Sequence, residues 1–178
     1  MNAKTRRRLG ALVLGGCGLA APCRAADPPS VPCAKPENRQ FDFWVGEWEV
    51  QDPKGNRAGE SSIKSILGGC AILESWRGAR GANGTSVNAY DASRGVWHQT
   101  WVDDQGGLLQ LEGRGADGRM VLEGQKARRE GGPSRERITW EKKGADRVRQ
   151  LWESSTDDGK TWKVLFDGLY FRAAAKRD

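Results

Sequence analysis

The sequence predicts an all-β protein, a single antiparallel up-and-down β-barrel of about ten strands. Three observations predict this class. From Gln40 onwards, short runs alternate apolar and polar residues, which is the period of a strand with one buried face. Turn-forming sequences such as DPKGN, GANG, GADG and TDDG separate the runs, so that consecutive runs pair as hairpins. A long meander has exposed edges unless it closes, and closure produces a barrel.

Residues 1–25 have the composition of an export signal. The basic start KTRRR precedes the apolar run LGALVLGGCGLAA, and small residues flank a cleavage position after Ala25. The apolar run is shorter than the roughly 20 residues that a membrane-spanning helix needs. We therefore expect a periplasmic or secreted protein. The alternative is lipid attachment at Cys17 in the sequence LGGC, which would anchor the chain to a membrane.

The charge of the chain does not indicate a nucleic-acid partner. The full chain has a formal net charge of +6, but residues 1–25 contain five basic residues and no acidic one. The remainder holds 24 basic and 23 acidic residues and is close to neutral. Nucleic-acid binding normally needs a strongly positive surface, so we expect no such partner.

A proline-rich segment, 26–39, predicts an extended leader before the barrel. It contains Cys33. Cleavage after Ala25 would leave Cys33 and Cys70 as the cysteines of the chain, and an even pair in an oxidising compartment predicts one disulfide. Two buried thiols are the alternative.

The barrel domain is expected to cover residues 40–172 and to be followed by a polar tail at 173–178. One helical turn within 37–44 is expected to cap one mouth of the barrel. The predicted strands are 47–51, 59–66, 70–78, 85–91, 96–103, 108–114, 119–126, 135–142, 147–155 and 161–172.

Period two places most aromatic side chains on one face of their strands, together with several polar ones. This face carries Ile72, Glu74, Trp76, Ser86, Asn88, Tyr90, Trp97, Gln99, Trp101, Val148, Gln150, Trp152, Trp162, Val164, Phe166, Tyr170 and Arg172. If the face points inward, the lumen is an aromatic cavity with a few polar groups, which suits a small polar or amphipathic molecule. If it points outward, the indoles cover the outside. We expect the inward arrangement, because exposed aromatic patches of this size favour association.

The inward arrangement makes nine residues candidates for ligand binding: Glu74, Trp76, Asn88, Tyr90, Trp97, Gln99, Trp101, Gln150 and Trp152. An alternative is an isomerase- or cyclase-type enzyme in which Glu74 is the general acid or base, because burial raises the pKa of a carboxyl. A purely structural Glu74, hydrogen-bonded by Arg172, Asn88 or Gln99, competes with that role. A third alternative is a filled barrel that acts through its outer surface as an interaction protein.

No cofactor and no metal site is expected. His98 is the only histidine, and alternation places it on the face opposite the tryptophans. Protein metal sites combine several ligands at characteristic spacings, and none of these spacings occurs here.

Several segments together resemble known proteins: FDFWVGEWEV, GGCAILESW, SVNAYD, WHQTWVD and RQLWESSTDDGKTW. The G-x-W in VGEW is similar to the signature of the lipocalin-like (calycin) barrels. The joined set, over residues 40–172, resembles the DUF1579-like group of exported bacterial proteins of unknown function. The calycin resemblance implies that Gly46 allows close backbone approach, that Trp48 closes one barrel end and that Arg172 covers it. The DUF1579-like resemblance implies a fold and export, but no established chemistry.

Overall fold

The computed structural model of the chain describes residues 32–128 and 130–174. The expected export signal at 1–25, the alternative lipid site at Cys17, the first part of the leader and the last four residues of the tail lie outside the described residues. Within the described ranges, no helix combines the length and the apolar character needed to cross a membrane.

Ten antiparallel strands form a closed barrel, which confirms the predicted fold class. The strands are β1 (Gly46–Gln51), β2 (Arg57–Ile66), β3 (Ala71–Gly78), β4 (Asn83–Asp91), β5 (Val96–Asp103), β6 (Leu108–Ala116), β7 (Arg119–Lys126), β8 (Ser134–Lys142), β9 (Arg147–Ser155) and β10 (Lys163–Arg172). Each strand pairs with its neighbours in sequence, and β1 pairs with β10 to close the barrel.

A short helix, α1 (Pro36–Arg39), and a 3₁₀ turn at Asp42–Trp44 precede β1. Pro36 is in the first turn of α1, where its missing N–H removes no helical hydrogen bond. The helix therefore begins inside the segment 26–39 that was expected to be extended. A second 3₁₀ turn, Leu67–Gly69, connects β2 to β3.

One end of the barrel is filled by aromatic side chains, and we call it the closed end. Phe41 and Trp44, from the segment before β1, are fully buried there. Their rings stack with centroids 4.9 Å apart. The ring of Trp140 from β8 packs against both, at 5.1 Å from Phe41 and 5.3 Å from Trp44. These three rings form one aromatic cluster in the core.

Gly46, Trp48 and Arg172 lie together at the closed end. The indole N–H of Trp48 donates to the carbonyl oxygen of Trp44 at 2.8 Å, and the guanidinium of Arg172 lies 4.4 Å from the Trp48 ring centroid. Gly46 has φ of +151°, and a Cβ at this position would collide with the guanidinium of Arg172. Glycine thus leaves the space in which Arg172 covers Trp48, the contact that the calycin resemblance implies.

Cys33 and Cys70 are joined as a disulfide in the structure, with 37 residues of sequence separation. The bond ties the segment before α1 to the residue that follows the Leu67–Gly69 turn. Arg39 also donates to the carbonyl oxygen of Gly69, and the indole N–H of Trp97 donates to the carbonyl oxygen of Glu37 at 3.2 Å. These contacts hold the N-terminal segment against the closed end.

The face that carries the aromatic residues points into the barrel on β3, β4, β5 and β9. Its members Glu74, Asn88, Trp97 and Gln99 are at most 4% exposed. Charged residues such as Arg137 and Glu153 pair on the outer face, at 2.9 Å. The inward arrangement therefore holds for these strands.

On β10 the predicted alternation is wrong at the start of the strand. Trp162 lies before β10, and its ring packs under the guanidinium of Arg137 at 4.0 Å. The pairing with β9 shifts register between Val164 and Phe166, and Val164 is 52% exposed. A bulge inserts one residue and reverses the alternation on one side of it. Trp162 and Val164 therefore do not share the inner face with Phe166 and Tyr170.

Candidate functional site

A cavity of about 200 Å³ lies inside the barrel, away from the closed end, and we call it the lumen cavity. Its lining is Glu74, Trp76, Gln99, Trp101, Leu109, Ile138, Gln150, Trp152, Leu165, Phe166 and Tyr170. Tyr170 forms the boundary with the closed end, because its ring also contacts Trp44 and Trp48 at centroid distances of 6.4 and 6.2 Å.

Aromatic rings form the walls of the lumen cavity. Trp76 and Phe166 meet edge to face with centroids 5.8 Å apart. The ring of Trp101 lies against β4, where a Cβ at Gly84 would overlap it. The indole N–H of Trp152 donates to Glu136 at 2.7 Å, and that of Trp101 reaches Asp103 at 3.4 Å. Backbone approach and hydrogen bonds thus fix these rings in place.

Glu74 is the centre of a buried polar network. Its two carboxyl oxygens accept hydrogen bonds from Ser61 at 3.1 Å and from Ser86 at 2.8 Å. The side-chain amide nitrogen of Asn88 donates to the Ser86 hydroxyl at 3.0 Å, and the side-chain amide nitrogen of Gln99 donates to the side-chain oxygen of Asn88 at 2.8 Å. Among the described residues, no basic side chain forms an ion pair with Glu74.

Burial raises the pKa of Glu74 from 4.5 to about 7, although hydrogen bonds from Ser86 and Ser61 act in the opposite direction. Burial also raises the pKa of Tyr170 well above its ordinary value, and the negative charge of Glu74 adds to the effect. The hydroxyl of Tyr170 donates to the side-chain oxygen of Gln150. Near neutral pH, Glu74 can therefore hold or release a proton inside the cavity.

A second buried carboxylate, Glu136 on β8, lies beside the cavity wall. It is 2% exposed and accepts hydrogen bonds from Ser134 at 2.6 Å, Ser154 at 2.8 Å and the Trp152 indole. Sequence reasoning did not select Glu136. The alternation could have identified it, because Glu136 shares one face of β8 with the apolar residues Ile138 and Trp140.

The structure separates the nine predicted binding residues into two groups. Six of them line the lumen cavity: Glu74, Trp76, Gln99, Trp101, Gln150 and Trp152. The other three do not line it. Asn88 is fully buried within the Glu74 network, and Trp97 packs on Phe41 with centroids 5.7 Å apart. Tyr90 is half-buried and packs on Trp97 at 6.1 Å, so it belongs to the closed end.

Five residues of the cavity lining were not among the predicted binding residues: Leu109, Ile138, Leu165, Phe166 and Tyr170. Phe166 and Tyr170 were placed on the inner face by alternation but not assigned to the ligand. The expected hydrogen-bond partners of Glu74 also differ. Ser61 and Ser86 take that place, while Arg172 covers Trp48 at the closed end.

His98 lies on the outer face of β5, where alternation places it. Its ring nitrogens contact Glu112 at 3.2 Å and Thr100 at 2.8 Å. Within the described part of the chain, no cluster of three or more histidine, cysteine or acidic side chains is arranged to hold a metal ion.

No family model matches this chain. The curated proteins also include none that matches it.

Replacing Glu74 with Gln is expected to change how the stability of the protein depends on pH. A carboxyl with a raised pKa binds more protons in the folded than in the unfolded state, so its contribution to the free energy of unfolding falls as pH rises from 4.5 to about 7. The shift corresponds to about 3 kcal/mol. Urea unfolding at pH 4 and pH 8 should show Glu74→Gln gaining roughly that amount over the wild type between the two pH values.

Glu49→Gln is the matched control, because Glu49 is an exposed residue of β1. Its stability should follow that of the wild type at both pH values. Parallel pH curves for the wild type and Glu74→Gln would show that the Glu74 carboxyl titrates normally.

Proposed function

We propose that this protein is an exported β-barrel of the lipocalin-like type that binds a small polar or amphipathic molecule in the lumen cavity. The observation that carries the proposal is the lining itself, in which aromatic walls surround the side chains of Glu74, Gln99, Gln150 and Tyr170. Apolar walls bury a ligand and a few placed polar groups orient it, which is the usual composition of small-molecule sites.

The cavity volume sets the size of the ligand. Drug-sized ligands occupy pockets of roughly 300–1,000 Å³, and an engineered cavity of about 150 Å³ accommodates benzene. A cavity of about 200 Å³ therefore suits a single ring with one small substituent. A water molecule has a share of roughly 30 Å³, so the volume also favours a binding protein over the filled-barrel alternative.

Two features support export and the family resemblance. The Cys33–Cys70 disulfide is of the kind that persists in the periplasm or outside the cell. The contact of Arg172 with Trp48 is the one that calycin barrels are expected to make. Together they support the proposal of a periplasmic or secreted lipocalin-like protein, while the relationship to the DUF1579-like group stays a prediction.

The raised pKa of Glu74 favours a second candidate, an enzyme of the isomerase or cyclase type. A carboxyl with a pKa of about 7 is well matched to proton transfer at neutral pH. In that case bound compounds would be converted chemically, and Glu74→Gln would bind them without converting them. Mass spectrometry of compounds incubated with either protein distinguishes the enzyme from the pure binding protein.

Filling the cavity tests the binding function directly. Leu109 is 3% exposed and lines the lumen cavity, so an indole at this position would occupy the space of a ligand. Leu108, the preceding residue of β6, is 56% exposed on the opposite face. We expect Leu109→Trp to weaken binding of single-ring compounds at least about tenfold, because each 1.4 kcal/mol of lost contact is tenfold in affinity. Leu108→Trp should bind as the wild type does.

Intrinsic tryptophan fluorescence measures this binding, because Trp76, Trp101 and Trp152 lie in the cavity wall. Circular dichroism checks that both variants are folded. Equal responses from Leu109→Trp, Leu108→Trp and the wild type would place the binding site elsewhere and contradict the proposal.

A further inference from the structure

The polar groups of the lumen cavity differ in how much hydrogen-bonding capacity the protein itself uses. Most of the donors are already occupied: the indole N–H groups of Trp101 and Trp152, the hydroxyl of Tyr170 and the amide nitrogen of Gln99 all donate to protein acceptors. The acceptors are less used. Each carboxyl oxygen of Glu74 accepts one hydrogen bond, and a carboxylate has about four lone-pair sites in total.

The charged side chains at the cavity also favour a ligand that donates hydrogen bonds, because they are acidic. Glu74 lines the cavity, and Glu136 accepts a hydrogen bond from the indole of Trp152 in the cavity wall. Among the described residues, neither forms an ion pair with a basic side chain. Among the described residues that line the cavity, none is a lysine or an arginine. An anionic ligand would lie close to the Glu74 carboxyl, where a low dielectric strengthens repulsion. A cationic ligand would compensate that buried charge.

The aromatic walls match a cation as well. The faces of tryptophan, tyrosine and phenylalanine rings attract ammonium groups, and the attraction is stronger when water is excluded. Trp76, Trp101, Trp152, Phe166 and Tyr170 supply five such rings around one carboxyl. Aromatic rings and an unpaired carboxylate are together the chemical features that recognise organic ammonium ions.

We propose that the ligand of the lumen cavity is a small organic cation, a single-ring or similarly sized amine whose ammonium group donates to Glu74 and whose carbon skeleton packs against the tryptophans. This inference rests on the proposed function, that the cavity binds a small molecule, and specifies the chemical class. Binding an ammonium ion stabilises the ionised form of Glu74. Affinity therefore rises with pH through the range in which Glu74 loses its proton, while Tyr170, the other titratable group of the lining, stays neutral.

A basic groove adjoins the cavity and would favour an anion instead of a cation. Lys126, Arg128 and Lys163 lie along it, and it shares Leu165 with the cavity lining. Lys126 is 5.9 Å from the centroid of the Trp152 ring. Arg128 and Lys163 are exposed, so water and salt screen their charges. An anion recognised by this groove would bind with the opposite charge preference.

Three probes with the same ring and one-carbon substituent separate these outcomes: benzylamine, benzyl alcohol and benzoate. Isothermal titration calorimetry of the purified protein at pH 8 should show benzylamine binding at least about tenfold tighter than benzyl alcohol, and benzoate weakest. Glu74→Gln should lose about tenfold in affinity for benzylamine and change little for benzyl alcohol. Glu49→Gln, on the outer face of β1, should behave as the wild type.

The outcomes distinguish the two proposals. Equal or tighter binding of benzyl alcohol or benzoate overturns the cation inference and leaves the binding function standing. Benzylamine binding that is unchanged in folded Glu74→Gln also overturns it. If none of the three probes binds at millimolar concentration, both the cation inference and the proposed cavity function for ring-sized ligands fail.

Discussion

Replacing Trp44 with Ala is expected to lower the free energy of unfolding by about 3–5 kcal/mol. Trp44 is fully buried, stacks on Phe41 at 4.9 Å and contacts Trp140 at 5.3 Å. Removing its indole leaves a cavity at the closed end and deprives the neighbouring rings of contacts. Phe41 lies in the segment between α1 and β1, and Trp140 lies on β8. Both would have to move for the core to close the cavity. Urea unfolding followed by circular dichroism measures the loss.

Two further variants show whether the loss comes from packing. The indole nitrogen of Trp44 has no hydrogen-bond partner among the described residues, so Trp44→Phe removes volume but no hydrogen bond and should cost about 1–2 kcal/mol. Trp162→Ala removes an indole that lies outside the barrel under Arg137, and it should cost about 1 kcal/mol or less. Equal losses for Trp44→Ala and Trp162→Ala would show that the closed end is not a packed core.

The fold was predictable because each strand has one buried face and the turns are short. The predicted runs 96–103, 119–126 and 147–155 coincide with β5, β7 and β9. The alternation of side chains between the two faces follows from the geometry of a single strand, so it can be predicted without knowing the neighbouring strands. It fails where pairing matters. The bulge in β10 depends on how that strand meets β9, and Val164 was therefore placed on the wrong face.

The site was less predictable because alternation tells which face a residue occupies but not its height along the barrel axis. Trp97 and Trp101 share the inner face of β5, yet Trp97 packs in the closed end and Trp101 lines the cavity. Height depends on the stagger between strands, which is a property of the whole closed sheet. Sequence reasoning therefore selected Asn88, Tyr90 and Trp97 along with the true lining residues.

The hydrogen-bond partners of Glu74 also depend on how the strands are aligned, which the sequence does not show. Ser86 lies directly opposite Glu74 in the β3–β4 ladder, and Ser61 lies diagonally across in β2. Such pairs are fixed by register, and serine gives no strong signal of its own in the sequence. The buried carboxyl itself was predictable, since Glu74 shares one face of β3 with Ile72 and Trp76.

The disulfide carries the second large expected effect. Cross-linking a loop of this length lowers the entropy of the unfolded chain, and the chain-entropy relation gives about 4 kcal/mol. The double variant Cys33→Ser/Cys70→Ser should lose roughly that amount of stability in urea unfolding. Reductant should destabilise the wild type by a similar amount and leave the double variant unchanged. Peptide mapping should recover one linked peptide that contains Cys33 and Cys70 and separates on reduction.

The effect on the closed end follows from what the disulfide anchors. Cys33 lies eight residues before Phe41 in the sequence, and the bond fixes the segment that delivers Phe41 and Trp44 to the barrel. Without it, the Arg39–Gly69 and Trp97–Glu37 hydrogen bonds still hold the segment. The double variant should therefore remain folded, with Trp44 protected from acrylamide quenching in the absence of urea. Free thiols at both positions, or equal stability with and without reductant, would contradict the bond.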